Sequence, residues 1–205
     1  MGGGKTMTMR GLLRGLFLFS LIFVFLSGCS GKKMSAADGS QTLYTRYNIH
    51  VQDRLHRNGE HLYRASYANY TDPGQGHIII PAGSKIEIRR ISGREFRFLV
   101  PAKNMVVRFE FSERRMGMDV NRYIQKITSP SPVSLNELSA LDRKGVAQGK
   151  AFIGMSRQGV MTALGYPAAH RTPSLSASTY VYWTNRFGTI AVEFNRNGKV
   201  KKVIQ

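Results

Sequence analysis

Apolar positions are arranged in three different ways along this chain. The first is a greasy run from Leu16 to Leu26, broken only by Ser20, behind a start that carries Lys5, Arg10 and Arg14 but no acid. A basic start, a short apolar core and small residues at its end describe a secretory signal over residues 1–28. The run is well short of the ~20 apolar residues that a spanning helix needs. Residues 29–42 are poor in apolar side chains and rich in Gly, Ser and Lys, which reads as a flexible tether. The second arrangement, over residues 43–129, has period 2. Tyr44–Val51 and Leu62–Tyr70 are aromatic and branched, Ile86 and Ile88 alternate with charges, Phe96, Phe98 and Val100 flank Arg97 and Leu99, and Met105, Val107, Phe109 and Phe111 flank Arg108 and Glu110. Short strands separated by Pro81-Ala82-Gly83, Gly93 and the Pro101–Asn104 segment predict a small all-β antiparallel barrel or sandwich, most simply a Src-homology-type barrel.

Ser129-Pro130-Ser131-Pro132 resists helix and central strand alike and predicts a boundary. Beyond it, over 133–205, the third arrangement begins. Ser134 and Glu137 have the spacing of a capping box, with Leu135, Leu138 and Leu141 following at helical intervals. A second helix is predicted from Ser156 to Leu164, capped by Ser156, ended by Gly165 and blocked by Pro167. Strands follow over Thr179–Trp183, Gly188–Phe194 and Lys199–Ile204. The turn between the last two contains Asn197-Gly198, a strong hairpin signal. The fold class is therefore α+β: two helices on a three-stranded antiparallel sheet, preceded by the β-rich region.

The single cysteine adds chemistry to the first segment. Cys29 closes the run Leu26-Ser27-Gly28-Cys29, which resembles a bacterial lipobox, where the thiol is acylated and becomes the new amino terminus. Each buried CH₂ of an acyl chain contributes roughly 0.8 kcal/mol to membrane affinity, so several chains hold firmly. In the sorting system this motif resembles, aspartate after the cysteine retains the protein in the inner membrane, and Ser30 would allow export to the periplasmic face of the outer membrane. With no second cysteine there is no internal disulfide, and the fold must stand on its apolar core.

The chain of 205 residues carries 30 basic and 12 acidic residues, a formal charge of +18. Only Lys5, Arg10 and Arg14 belong to the signal, so the excess persists after its removal. Anionic lipid, acidic glycan or an acidic protein is the implied neighbour, and Arg89, Arg90, Arg94 and Arg97 around one turn form the candidate anionic-surface site. Nucleic acid is not expected outside the cytoplasm. The histidines lack the i, i+4 spacing of a helical metal pair, although His56 and His61 lie near Asp53 and Glu60. No metal or cofactor is expected. Nucleophile elbows, paired carboxylates and phosphate cradles are missing from the sequence, so an enzyme is not expected.

The stretch Ile153-Gly154-Met155-Ser156, through Gly159 and Leu164-Gly165, to Tyr166-Pro167 resembles the hallmark of the BamE family, also called the SmpA/OmlA lipoproteins. Tyr180-Val181-Tyr182-Trp183, Ile190–Phe194 and Asn197-Gly198-Lys199-Val200 fit the strands that follow it there. The resemblance spans roughly residues 133–204. It implies two helices packed on three strands and a non-enzymatic accessory role in outer-membrane protein assembly. It also implies contact with the β-barrel assembly machinery and with anionic lipid. Each motif residue has a structural role, so the motif speaks to fold more than to function. Tyr182, Asn185, Arg186 and Phe187 are the candidate partner-binding residues, because aromatics and a guanidinium at a strand end are enriched in binding hot spots. Tyr182 and Arg186 are expected to be exposed, whereas Trp183 and Phe187 could equally fill a small core. Two other functions compete with that role, a peptidoglycan- or glycan-binding module and an inhibitor of an envelope enzyme.

Overall fold

The computed structural model describes residues 1–2 and 41–205. The expected acylation site Cys29, residues 3–28 of the expected signal and residues 29–40 of the expected tether lie outside the described residues. Gln41 and Thr42, expected at the end of the tether, belong to the first strand. Among the described residues ten further strands, four α-helices and a single 3-10 turn over Pro101–Lys103 follow. The amino-terminal half holds β1 (Gln41–Thr45), β2 (Ile49–Leu55), β3 (His61–Ser66), β4 (His77–Ile80), β5 (Lys85–Ile91), β6 (Glu95–Val100) and β7 (Met105–Glu110), then α1 (Glu113–Met116), α2 (Val120–Ile127) and the short β8 (Thr128–Ser129). The carboxy-terminal half holds α3 (Ala140–Gln148), α4 (Arg157–Leu164), β9 (Thr179–Trp183), β10 (Thr189–Phe194) and β11 (Val200–Ile204).

The protein is α+β, with one curled sheet of eight strands and a second antiparallel sheet of three. The large sheet runs β4-β2-β3-β7-β6-β5-β1-β8. Its curl follows from two bent ribbons. β1 runs on into β2 and β4 into β5; β1 pairs with β5 and β2 with β4. At the bend, Thr45 N–H donates to Ser84 O at 3.0 Å and Gly83 N–H donates to Thr45 O at 2.7 Å. Alternation then sends Phe96, Phe98, Val107 and Phe109 inward, where Phe96 and Phe109 stack with ring centroids 4.6 Å apart.

Residues 43–129 are not all-β, and not wholly antiparallel, as the alternation predicted. β3 and β7 pair in parallel. Helix α2 was hidden by its composition, because Val, Tyr and Ile favour strands. Its buried Val120, Tyr123, Ile124 and Ile127 nevertheless fall at helical intervals, and Asp119 caps it by accepting from the N–H groups of Asn121 and Arg122 at 2.9 and 3.0 Å. The single strand expected over Tyr44–Val51 is broken at Asn48. That side chain donates to Val146 O at 2.7 Å and accepts from Ala82 N–H at 2.9 Å, pinning the bend against α3.

The Ser134–Glu137 capping box does not form. Ser134 Oγ accepts from Asn136 N–H at 3.2 Å in a turn, and α3 starts later, where Ser139 Oγ accepts from Asp142 N–H at 3.1 Å. Leu135 and Leu138 reach the core from this loop instead of from a helix. The later start places Asp142 beside Ser156. Helix α4 begins and ends at Ser156 and Gly165, as expected. Ser156 Oγ accepts from Gly159 N–H at 2.9 Å, and Gly165 has φ of 90°, a value that side chains resist. Met155, Val160, Leu164, Tyr180, Tyr182, Val192 and Val200 form one core shared by α4 and the small sheet, with Val146 of α3. Among the described residues no helix is long and apolar enough to cross a membrane.

Candidate interaction surface

The β9–β10 connection, Thr184–Gly188, is a short turn built by one side chain. Asn185 Oδ1 accepts from the N–H groups of Phe187 and Gly188, both at 2.9 Å. Thr184 N–H closes the turn onto Gly188 O at 3.0 Å. A Cβ on Gly188 would lie 2.5 Å from Thr184 Oγ1, so only glycine fits without rearrangement there. The turn holds Phe187 away from the protein at 92% exposure, with the Arg186 guanidinium 5.8 Å from its ring centroid. The ring belongs to neither hydrophobic core.

The strand behind the turn corrects one expectation. Tyr182 is not exposed: it is 1% accessible, and its hydroxyl has no hydrogen-bond partner. Tyr180 and Tyr182 share the inward face of β9, while Val181 and Trp183 share the other. Trp183 is half-buried and packs against the core of the large sheet, with its ring stacked on His170 at 5.2 Å. Burial lowers the His170 pKa. The backbone carbonyl of Arg115 opposes that, and the Arg115, Arg171 and Arg114 charges reinforce it. Arg115 donates to Tyr67 Oη at 2.7 Å. Burial raises the Tyr70 pKa, as does Glu110, against the nearby Arg186 charge. The surface around the turn is thus basic and aromatic, with Glu110 and Asp72 as acidic neighbours, the N–H of Asp72 donating to Thr184 O at 2.9 Å.

The four arginines predicted around one turn are exposed, but they separate by role. Arg89 is the extra residue of a β-bulge in β5 and pairs with Glu87 at 2.7 Å. Arg94 lies in the turn before β6. Arg90 and Arg97 stand directly opposite each other on β5 and β6. His61 Nδ1 lies 2.8 Å from Asp53, and among the described residues no three potential ligands gather around a metal position.

Two other polar clusters belong to the scaffold. A groove of about 400 Å³ is lined by Arg46, Leu135, Asp142, Ser156 and Lys199, among others. Asp142 is spoken for: its carboxylate accepts from Ser156 N–H at 2.7 Å and from Ser156 Oγ–H at 2.9 Å. His50 is buried, and its Nε2–H donates to Ala163 O at 2.9 Å. Nδ1 is then left to accept from the Nε2–H of His77 at 3.0 Å. Both histidines tie β2 and β4 to each other and to α4.

Compared with protein-family models, with characterised proteins and with solved structures, the chain matches none.

Proposed function

We propose that this protein is a lipid-anchored, non-enzymatic accessory factor of the outer membrane, of BamE-like type. It would dock onto a component of the β-barrel assembly machinery through the β9–β10 turn. The observation that carries the reading is Phe187, 92% exposed on a turn braced by Asn185 and flanked by Arg186. Burying such a ring at an interface contributes about 1.5–3 kcal/mol, and the adjacent guanidinium adds orientation. The pairing of α3 and α4 with a three-stranded antiparallel sheet supports the resemblance carried by Gly154–Pro167. Acylated Cys29 supplies the anchor, and the basic surface turns the domain toward anionic head groups.

Photo-crosslinkable residues placed in intact cells at Arg186 and Phe187, and at exposed Asn195 as a distant control, test the reading. A barrel-assembly component is expected in the adducts from the first two positions only. Adducts that contain no such component, or the same adducts from Asn195, would sink it.

A further inference from the structure

On the outer face of the large sheet, strand pairing aligns four arginines that are far apart in sequence. Arg90 lies opposite Arg97, Arg97 opposite Arg108, and Arg108 opposite Arg64, across β5, β6, β7 and β3. All four are exposed, while their strand neighbours Phe96, Phe98, Val107, Phe109 and Ala65 point into the core. Adjacent strands are about 4.8 Å apart, so the row spans roughly 14 Å. Like charges directly opposite one another destabilise a sheet. One carboxylate offsets them: Glu95 lies 3.3 Å from Arg97 and 2.5 Å from Arg108. Arg90 and Arg64 form no ion pair among the described residues.

The rows on either side define what would fit. Two residues along on one side, Glu95 stands opposite Glu110. On the other side, Leu99 stands between Glu87, which is paired with Arg89, and Val106, which is 51% exposed, and Leu62 lies two residues before Arg64 on β3. The face is therefore a line of guanidiniums between a carboxylate row and a row that is aliphatic except for Glu87 at its β5 end. A flat anionic membrane pressed on it would meet Glu95 and Glu110 as well as the arginines. Single-stranded nucleic acid would look for aromatic stacking platforms, and the aligned positions beside the arginines are aliphatic or acidic. A linear chain of acidic sugars meets both rows: carboxylates pair with the guanidinium forks, and the C–H faces of the rings lie on Leu62, Leu99 and Val106.

We propose that this arginine row is a binding site for a linear acidic polysaccharide carrying about one carboxylate per sugar, whose repeated carboxylates meet repeated guanidiniums. The site is separate from the β9–β10 turn and does not depend on docking there.

The test uses the full chain in detergent micelles and end-labelled oligogalacturonate, read by fluorescence anisotropy over a salt series. Saturable binding that weakens with salt is expected. Affinity should fall about tenfold or more in a variant carrying Arg64→Gln, Arg97→Gln and Arg108→Gln. The same positions changed to Lys keep the charge but lose the fork, and should fall in between. Lys201→Gln with Lys202→Gln, exposed on β11 of the small sheet, should bind as the unaltered chain does. Circular dichroism checks that each variant is folded. Three outcomes would overturn the proposal: no binding of oligogalacturonate, equal binding by the Gln variant, or equal binding of neutral dextran. So would phosphatidylglycerol vesicles or a single-stranded oligonucleotide binding through these arginines where the glycan does not.

Discussion

Gly159 lies in the first turn of α4 against the buried carboxylate that joins α3 to it, and that contact predicts that the two positions are coupled. A Cβ built on Gly159 lies 2.2 Å from Asp142 Oδ1. The carboxylate cannot simply swing away, because it holds Ser156 N–H and Ser156 Oγ–H at 2.7 and 2.9 Å. Gly159→Ala alone should therefore destabilise the fold by about 1–3 kcal/mol, the usual cost of overpacking. Asp142→Ala removes two charge-assisted hydrogen bonds of about 1.5–3 kcal/mol each, which do not add fully, so a loss of about 2–4 kcal/mol is expected. With the carboxylate gone the contacts to Oδ1 and Cγ go, and only the Cβ of residue 142 is left, 2.7 Å away. Gly159→Ala in that background should then cost clearly less than it does alone, with helix propensity offsetting part of what remains. Urea unfolding of all four proteins gives the cycle. Acidification supplies a second arm. Burial pushes the Asp142 pKa up, but hydrogen bonds from Ser156 and Ser139 outweigh it and hold the carboxyl below its ordinary value. Its contribution is full above the unfolded carboxylate pKa and is lost as pH falls through the depressed folded value, so the Asp142→Ala deficit should shrink in acid. A Gly159→Ala cost that is the same with and without Asp142 would refute the argument.

Two further outcomes follow from buried polar groups. Tyr182→Phe removes a hydroxyl with no partner, and should stabilise by about 1 kcal/mol, raising Tm by about 2–4 °C in a scan; a lower Tm would mean that the hydroxyl is satisfied. Burial lowers the His50 pKa from 6.5 to about 4, against the Ala163 carbonyl and with help from the His77 charge. Between those values the unfolded chain binds more protons than the folded one. Stability should therefore be unaffected by His50 above about 6.5 and decline as pH falls toward 4, by at most about 1.4 kcal/mol per pH unit. Urea unfolding across that interval, with His50→Gln flattening the decline, checks it.

What the amino-acid sequence determined by itself is local backbone chemistry. The cap at Ser156, the stop at Gly165 and the Asn195–Gly198 turn all stand where their residue types place them, because each depends on a few neighbouring dihedrals and one or two nearby hydrogen bonds. The α+β class was legible for the same reason. Local signals failed where two answers had the same pattern. Alternation in β9 says that Tyr180 and Tyr182 share a face, but only the packing of α4 on the small sheet decides that this face is the inner one. Ser134 carries the capping-box spacing, but α3 starts after Ser139, the start that places Asp142 beside Ser156. The arginine row lies furthest from anything a linear reading could reach. Arg64, Arg90, Arg97 and Arg108 become neighbours through strand register, including a parallel pairing of β3 with β7 across the intervening hairpins. Register is set by which faces the whole sheet can bury, a property of the assembled core and not of any one segment.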